Sequence, residues 1–357
     1  MTSRRRFLAG MTSAAFAPSV SWAAVGNPAA LSAAMTPDGI YQLIGLHADG
    51  AIAFRTPLPA RGHAAAAHPT LAEAVAISRR PGTFSRVIDC VSGRLRQTLE
   101  APEGRHFYGH GAFSSDGALL FTPENDVSSG EGRIGVWDRR LGFSRVDEFS
   151  SGGIGPHEIL RLPSGDLAVA NGGIRTHPST GREKLNLDTM RPNLAIFSTR
   201  GDLRDIAELP ASQHRNSLRH IAAREDGTVV CGFQWQGDPF ETPSLIALYK
   251  GDGTLTPGWL EEDTLRRLDG YIGSVAALKN GLFAASSPRG GRAIIFDNDG
   301  AEHATFSALD VCGLSALNAE NCLATDGSGA VYALSATDLR PLKRHDIAFD
   351  NHLVALH

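Results

Sequence analysis

Five histidines, His63, His110, His157, His220 and His352, stand at one equivalent place in a pattern that recurs along most of the 357-residue chain. Neutral imidazole is the commonest side-chain ligand of transition metals, and three or more converging nitrogens suit copper, iron or zinc. Glu158 directly follows one of these histidines and would add a hard oxygen. Cys312 lies beside the same position in another unit and would add a soft sulfur. Histidines at such a place can also be structural, bonded to backbone or trapped water, because repeats share residues by duplication as well as by function. The pattern therefore carries two readings: a metal-binding ring, or a set of packed channel histidines. His68, His106, His177, His214 and His303 fall outside the repeat position and are not expected to be ligands.

A second set of polar residues recurs where apolar runs end: Arg79 and Arg80, Glu124 and Asn125, Asn171, Gln234, Arg289 and Asp326. Of these, Arg80, Asn125, Asn171, Gln234 and Arg289 form a candidate ligand-binding face. Turn chemistry and solvent exposure are the simpler account of groups so placed. No Gly-x-Ser-x-Gly, Walker loop or His-Glu-x-x-His is present, so no familiar hydrolase or nucleotide site can be assigned. The absence of Cys-x-x-Cys-His excludes a c-type haem.

The elements that must position these residues are read from the repeat itself. Each unit runs from histidine through an apolar strand and a polar turn to a second apolar strand, as in His110-Gly-Ala-Phe-Ser-Ser-Asp-Gly117, His157 to Ala170, and His220 to Val230. Ser274 and Gly313 take the histidine position in two further units. A third β-rich segment follows each hairpin, as at 85–89, 134–138, 194–198, 245–249, 293–297 and 330–334. The unit opened by His352 is cut short, and residues 37–46 and 51–54 supply its turn, second strand and third strand. A blade shared by the two ends of the chain closes a ring and removes free sheet edges. The reading is an all-β, seven-bladed β-propeller over residues 35–357, closed by pairing of the terminal segments, with a linker at 24–34. Repeat period overrides the two domains that length alone would suggest.

Residues 1–23 read as a twin-arginine export signal: Ser3-Arg-Arg-Arg-Phe-Leu8, an Ala-rich apolar stretch, and small residues around Ala23. Its loss removes three arginines and no acid, moving the net charge from −4 to −7. The expected location is the periplasm, with the anchor cleaved rather than kept in the membrane, and a monomer is expected. No basic block with interleaved aromatics occurs, which argues against nucleic acid. The four cysteines of an exported chain could pair, but Cys90 and Cys231 sit in apolar company, and Cys312 and Cys322 are poorly placed across one hairpin. Buried free thiols are expected. Insertions at 172–192, and at 239–243 and 257–269 in the next unit and its exit, break the spacing and belong on a face; Glu261–Leu268 reads as a short helix.

The twin-arginine start, Gly109-His-Gly-Ala-Phe-Ser-Ser-Asp-Gly117, Gly155-Pro-His-Glu158 and Leu218-Arg-His-Ile221 together resemble an uncharacterised bacterial family of exported, WD40-like (YVTN-type) seven-bladed propellers. That resemblance implies a periplasmic role linked to iron uptake, with iron-uptake proteins as partners, and supplies no reaction. The chain is more distantly similar to nitrous oxide reductase, in which a propeller presents histidines to a copper cluster. It lacks that enzyme's cupredoxin-like second domain, so the reaction does not transfer. Three functions follow: a periplasmic protein handling iron or copper, a non-catalytic docking platform, or a propeller enzyme acting on a small polar molecule.

Overall fold

In the computed structural model, which describes residues 20–356, seven antiparallel sheets follow one another along the chain. Six have four strands; the fifth strand of the remaining sheet arises because its innermost strand is broken into Arg105–Phe107 and Ala112–Phe113. This is the expected seven-bladed propeller. The second and third strands of most blades, such as Glu73–Ser78 and Asn193–Phe197, are almost wholly buried. Both of their faces pack on neighbouring blades, which is why they read as continuous apolar runs rather than alternating ones. One apolar cluster, for example, joins Leu194 and Ile196 of one blade to Ile221, Val229 and Phe233 of the next.

Each blade also has an outer fourth strand that the apolar pattern does not reveal. Arg94–Glu100 and Ser144–Ser150 are mostly exposed, and Glu302–Ser307 alternates between half-buried and exposed. One polar face in water dilutes the signal that marks the inner strands.

The closing blade runs Ala348–Ala355, Ala30–Met35, Tyr41–Leu46, Ile52–Leu58 from the axis outward. Terminal pairing is as expected, but the residue assignment shifts by one strand. Residues 30–34, expected in a linker, are the second strand, so 41–46 is third and 52–58 fourth. Ala30–Met35 is too rich in Ala to show a strand pattern, yet its first five residues are buried. Upstream, Trp22 is also buried and its indole N–H donates to the His68 carbonyl at 2.9 Å. The arginine motif at 3–8 lies outside the described residues. All four cysteines are free and buried, and the short helix is present at Glu262–Arg267.

Candidate metal centre

The innermost strands surround the axis, and their ladders break where the histidines stand. Gly62 pairs with Ser78 and Ala64 with Ile77, leaving His63 unopposed. His157 is skipped in the same way between Pro156 and Glu158. In Asn216–Ala223 the extra residue is Arg219, immediately before His220. Asp350, Asn351 and His352 together face Ala33 alone. His110 falls in the gap between the two short inner strands of its blade. A bulge turns a side chain out of the sheet's own alternation. Here the bulges let imidazoles leave the blade faces and meet on the axis.

Meet they do. Ring centroids lie 4.5 Å apart for His63 and His352, 4.7 Å for His110 and His352, 5.1 Å for His63 and His110, and 5.0 Å for His157 and His220. His220 and His352 approach across the axis at 5.1 Å. Ser274 and Gly313, the two small residues at this level, belong to the blades between them, so five large rings fill space that seven could not. Gly109, at φ +101°, is required for the same reason: a Cβ there would come within 2.4 Å of the His63 ring.

One nitrogen from each of His63, His110 and His352 lies within 4.8 Å of the other two. Donors bound tetrahedrally at ~2.0 Å from one ion are about 3.3 Å apart, so small side-chain rotations close the triad. His63 Nδ1 and His110 Nε2 are buried without a hydrogen-bond partner. His157 Nδ1 is held by the Arg219 carbonyl at 3.0 Å, and His220 Nδ1 by Glu158 Oε2 at 3.2 Å. Such bonds fix the tautomer with the proton on Nδ1 and leave Nε2 as the lone pair. Burial is the main reason all five rings stay neutral. It pushes His110 and His220 down to about 3 and holds His63, His157 and His352 well below the usual imidazole range. The Arg79 guanidinium adds to this at His63 and His352, and Arg219 at His157 and His220.

Glu158 and Cys312 are not in the nitrogen triad. The Glu158 carboxylate serves the ring from outside: it accepts from His220 and the Ile221 amide at 3.2 Å and lies 3.7 Å from His110 Nδ1. Burial raises its carboxyl above the ordinary value, and His110 and the Ile221 N–H partly offset that. Cys312 is buried beside Gly313, and burial raises its thiol, disfavouring the thiolate that binds metal. His68, His106, His177, His214 and His303 are not part of the triad. His68 Nδ1 accepts from the Thr70 and Leu71 amides, His106 contacts the Phe107 carbonyl, His177 and His214 are half-buried, and His303 is exposed. Sequence reasoning missed Asp350, whose Oδ1 is 3.9 Å from His63 Nδ1 and whose Oδ2 accepts from Arg61 at 2.6 Å. Its place two residues before His352 was the available signal.

On one side of the ring a cavity of about 1050 Å³ is lined by His110, Glu158, His220, His352 and the downstream halves of the inner strands. The other side carries the second candidate set, which the structure divides. Asn171 is consumed by Ser151 and Asn193, and Gln234 donates to the Ile272 carbonyl at 3.2 Å. Arg80, Asn125 and Arg289 keep polar groups available.

Fold and site together define a seven-bladed propeller whose channel is plugged by a neutral histidine cluster. The chain belongs to the family described as a protein of unknown function (DUF1513), whose model matches residues 56–356. No curated protein matches it. Among solved structures it is similar to a chain of Kuenenia stuttgartiensis hydrazine synthase, with TM-score 0.64 and 14% identity over 84% of this chain and 94% of that one. It is also similar to a chain of the mitotic checkpoint complex, with TM-score 0.55 and 12% identity over 78% and 77%. At these identities the likeness extends to fold alone.

Proposed function

We propose that this protein is a periplasmic transition-metal binder whose ion sits on the channel axis, held by His63, His110 and His352. The observation that carries the reading is the pair of orphaned buried nitrogens, His63 Nδ1 and His110 Nε2, inside a triad of neutral imidazoles. A buried polar atom without a partner costs about 1–3 kcal/mol, and a metal ion bound through either nitrogen would relieve that cost. An all-nitrogen neutral set favours copper most, since affinities of divalent ions for such donors peak there; iron is the second choice and calcium a poor one. Glu158, which reaches two of the rings, His110 and His220, orients them instead of supplying oxygen.

The expected setting is metal handling after twin-arginine export, in iron uptake or in copper trafficking. Elemental analysis of protein purified without an affinity tag, from cells grown with iron and copper, tests this. Near-stoichiometric copper or iron supports it. Metal-free protein that also takes up no ion on titration would leave the five rings as a packed plug, a reading their edge-to-face contacts equally accommodate.

A further inference from the structure

The face opposite the cavity gathers cations that are not paired with the acids near them, Asp350 and Asp326. Arg79 and Arg80 follow the second strand Glu73–Ser78, Arg289 follows Phe283–Ser287, and Lys184 comes from the insertion at 172–192. Arg219 reaches the same region from its bulge. Among the described residues no ion pair joins Arg79, Arg80, Lys184, Arg219 or Arg289 to a carboxylate. Asp350, whose charge acts on Arg79, is engaged by Arg61 at 2.6 Å.

Two donors here are buried and unused. Arg219 is 8% exposed, and its Nε has no hydrogen-bond partner. Asn125 is 1% exposed; its Oδ1 accepts from the Tyr108 hydroxyl at 3.3 Å while its Nδ2 donates to nothing. Gly172 packs closely here, since a Cβ there would lie 2.9 Å from Ser217 Oγ and 3.4 Å from the Arg219 guanidinium carbon. Arg289 is set over the Tyr271 ring at 4.4 Å, and Arg80 Nη1 is 3.4 Å from Thr176 Oγ1. These cations feel one another: after burial, the charges of Arg219, Arg289 and Arg80 depress the Lys184 ammonium, and Arg80 helps bring Arg219 down to about 10. Charges assembled at such mutual cost, with buried donors idle among them, are a built receptor for negative charge.

We propose that this face binds a multivalent oxyanion, received by Arg80, Lys184, Arg219 and Arg289 with Asn125 Nδ2 as a neutral donor. The inference stands apart from the metal reading and is tested without metal. Two sources share the chemistry, a polycarboxylate and a phosphate, and they are separated by using citrate and inorganic phosphate as probes, with acetate as the monovalent comparison.

The experiment is calorimetric titration of chelator-treated protein at low ionic strength, repeated on K184A/R289A, whose two side chains are exposed, and on R219Q. Citrate or phosphate should bind saturably and raise the melting temperature, and the tighter of the two names the source. Both variants should lose affinity by at least about tenfold, K184A/R289A with its unliganded melting temperature unchanged. Absence of saturable binding, affinity for acetate equal to that for citrate and phosphate, or unchanged binding by K184A/R289A would each overturn the proposal.

Discussion

His220 Nδ1 and Glu158 Oε2 lie 3.2 Å apart, two residues from different blades joined at the edge of the histidine cluster. The carboxylate also accepts from the Ile221 amide and stands 3.7 Å from His110. Replacing it by glutamine keeps the shape but offers an amide where the ring needs an acceptor of fixed sense. We expect E158Q to weaken metal binding by about 10–100-fold while the β-sheet signal in circular dichroism is unchanged. E158A should also lower stability by about 1–3 kcal/mol, because it leaves the Ile221 amide buried without its acceptor. Wild-type affinity in both variants would remove Glu158 from any role at the centre.

Acid should destabilise the metal-free protein before ordinary carboxylates titrate. An unfolded chain protonates its histidines near ~6.5. In the folded chain burial holds His110 and His220 down to about 3 and His68 to about 4. His63, His157 and His352 are lowered as well. Between those limits the unfolded state binds more protons, so stability is complete above pH ~6.5 and falls as pH drops toward 3. Urea midpoints should decline steadily from pH 7.5 to 5.5. A midpoint independent of pH would contradict neutral burial.

Closure of the ring rests on Ala348–Ala355 pairing with Ala30–Met35, helped by the Ser32 hydroxyl donating to the His352 carbonyl at 3.0 Å. Deleting residues 350–357 exposes strand edges at the join. The truncated protein should aggregate or melt far below the full chain. Unchanged melting would defeat the closure.

Gly109 tests how tightly the cluster is packed. Alanine there meets both an unfavourable φ and the His63 ring, and should cost about 1–3 kcal/mol with a lowered melting temperature. G142A, at a turn glycine where a Cβ meets nothing within 4 Å, is the comparison for backbone strain alone. Equal losses in the two would mean that His63 is free to move aside.

Much of this was legible because a repeat prints the same physics several times. The histidines were found by their place before apolar strands, and the blades by strands buried on both faces. The outer strands were not, since one wet face hides their period. Nor was Ala30–Met35, whose small residues carry no periodic contrast. At the site, side-chain type did not distinguish a ligand from its supporter: Glu158 looks like a donor in sequence and is a hydrogen-bond partner in space. Arg219 read as a neighbour of His220, and only the bulge shows it facing the opposite mouth. Asn171 shared its position with Asn125, yet Ser151 and Asn193 occupy it fully.

The central claim is that metal is held on the axis by the triad of His63, His110 and His352. It is tested most directly by titrating copper(II) and iron(II) into metal-free H110A/H352A and H177A/H303A under competition with a chelator. The first double variant should lose affinity by about three orders of magnitude or more and keep its β-fold, since the removed side chains do not enter the ladder. The second should bind as the wild type does. Equal uptake by the two variants would contradict the account.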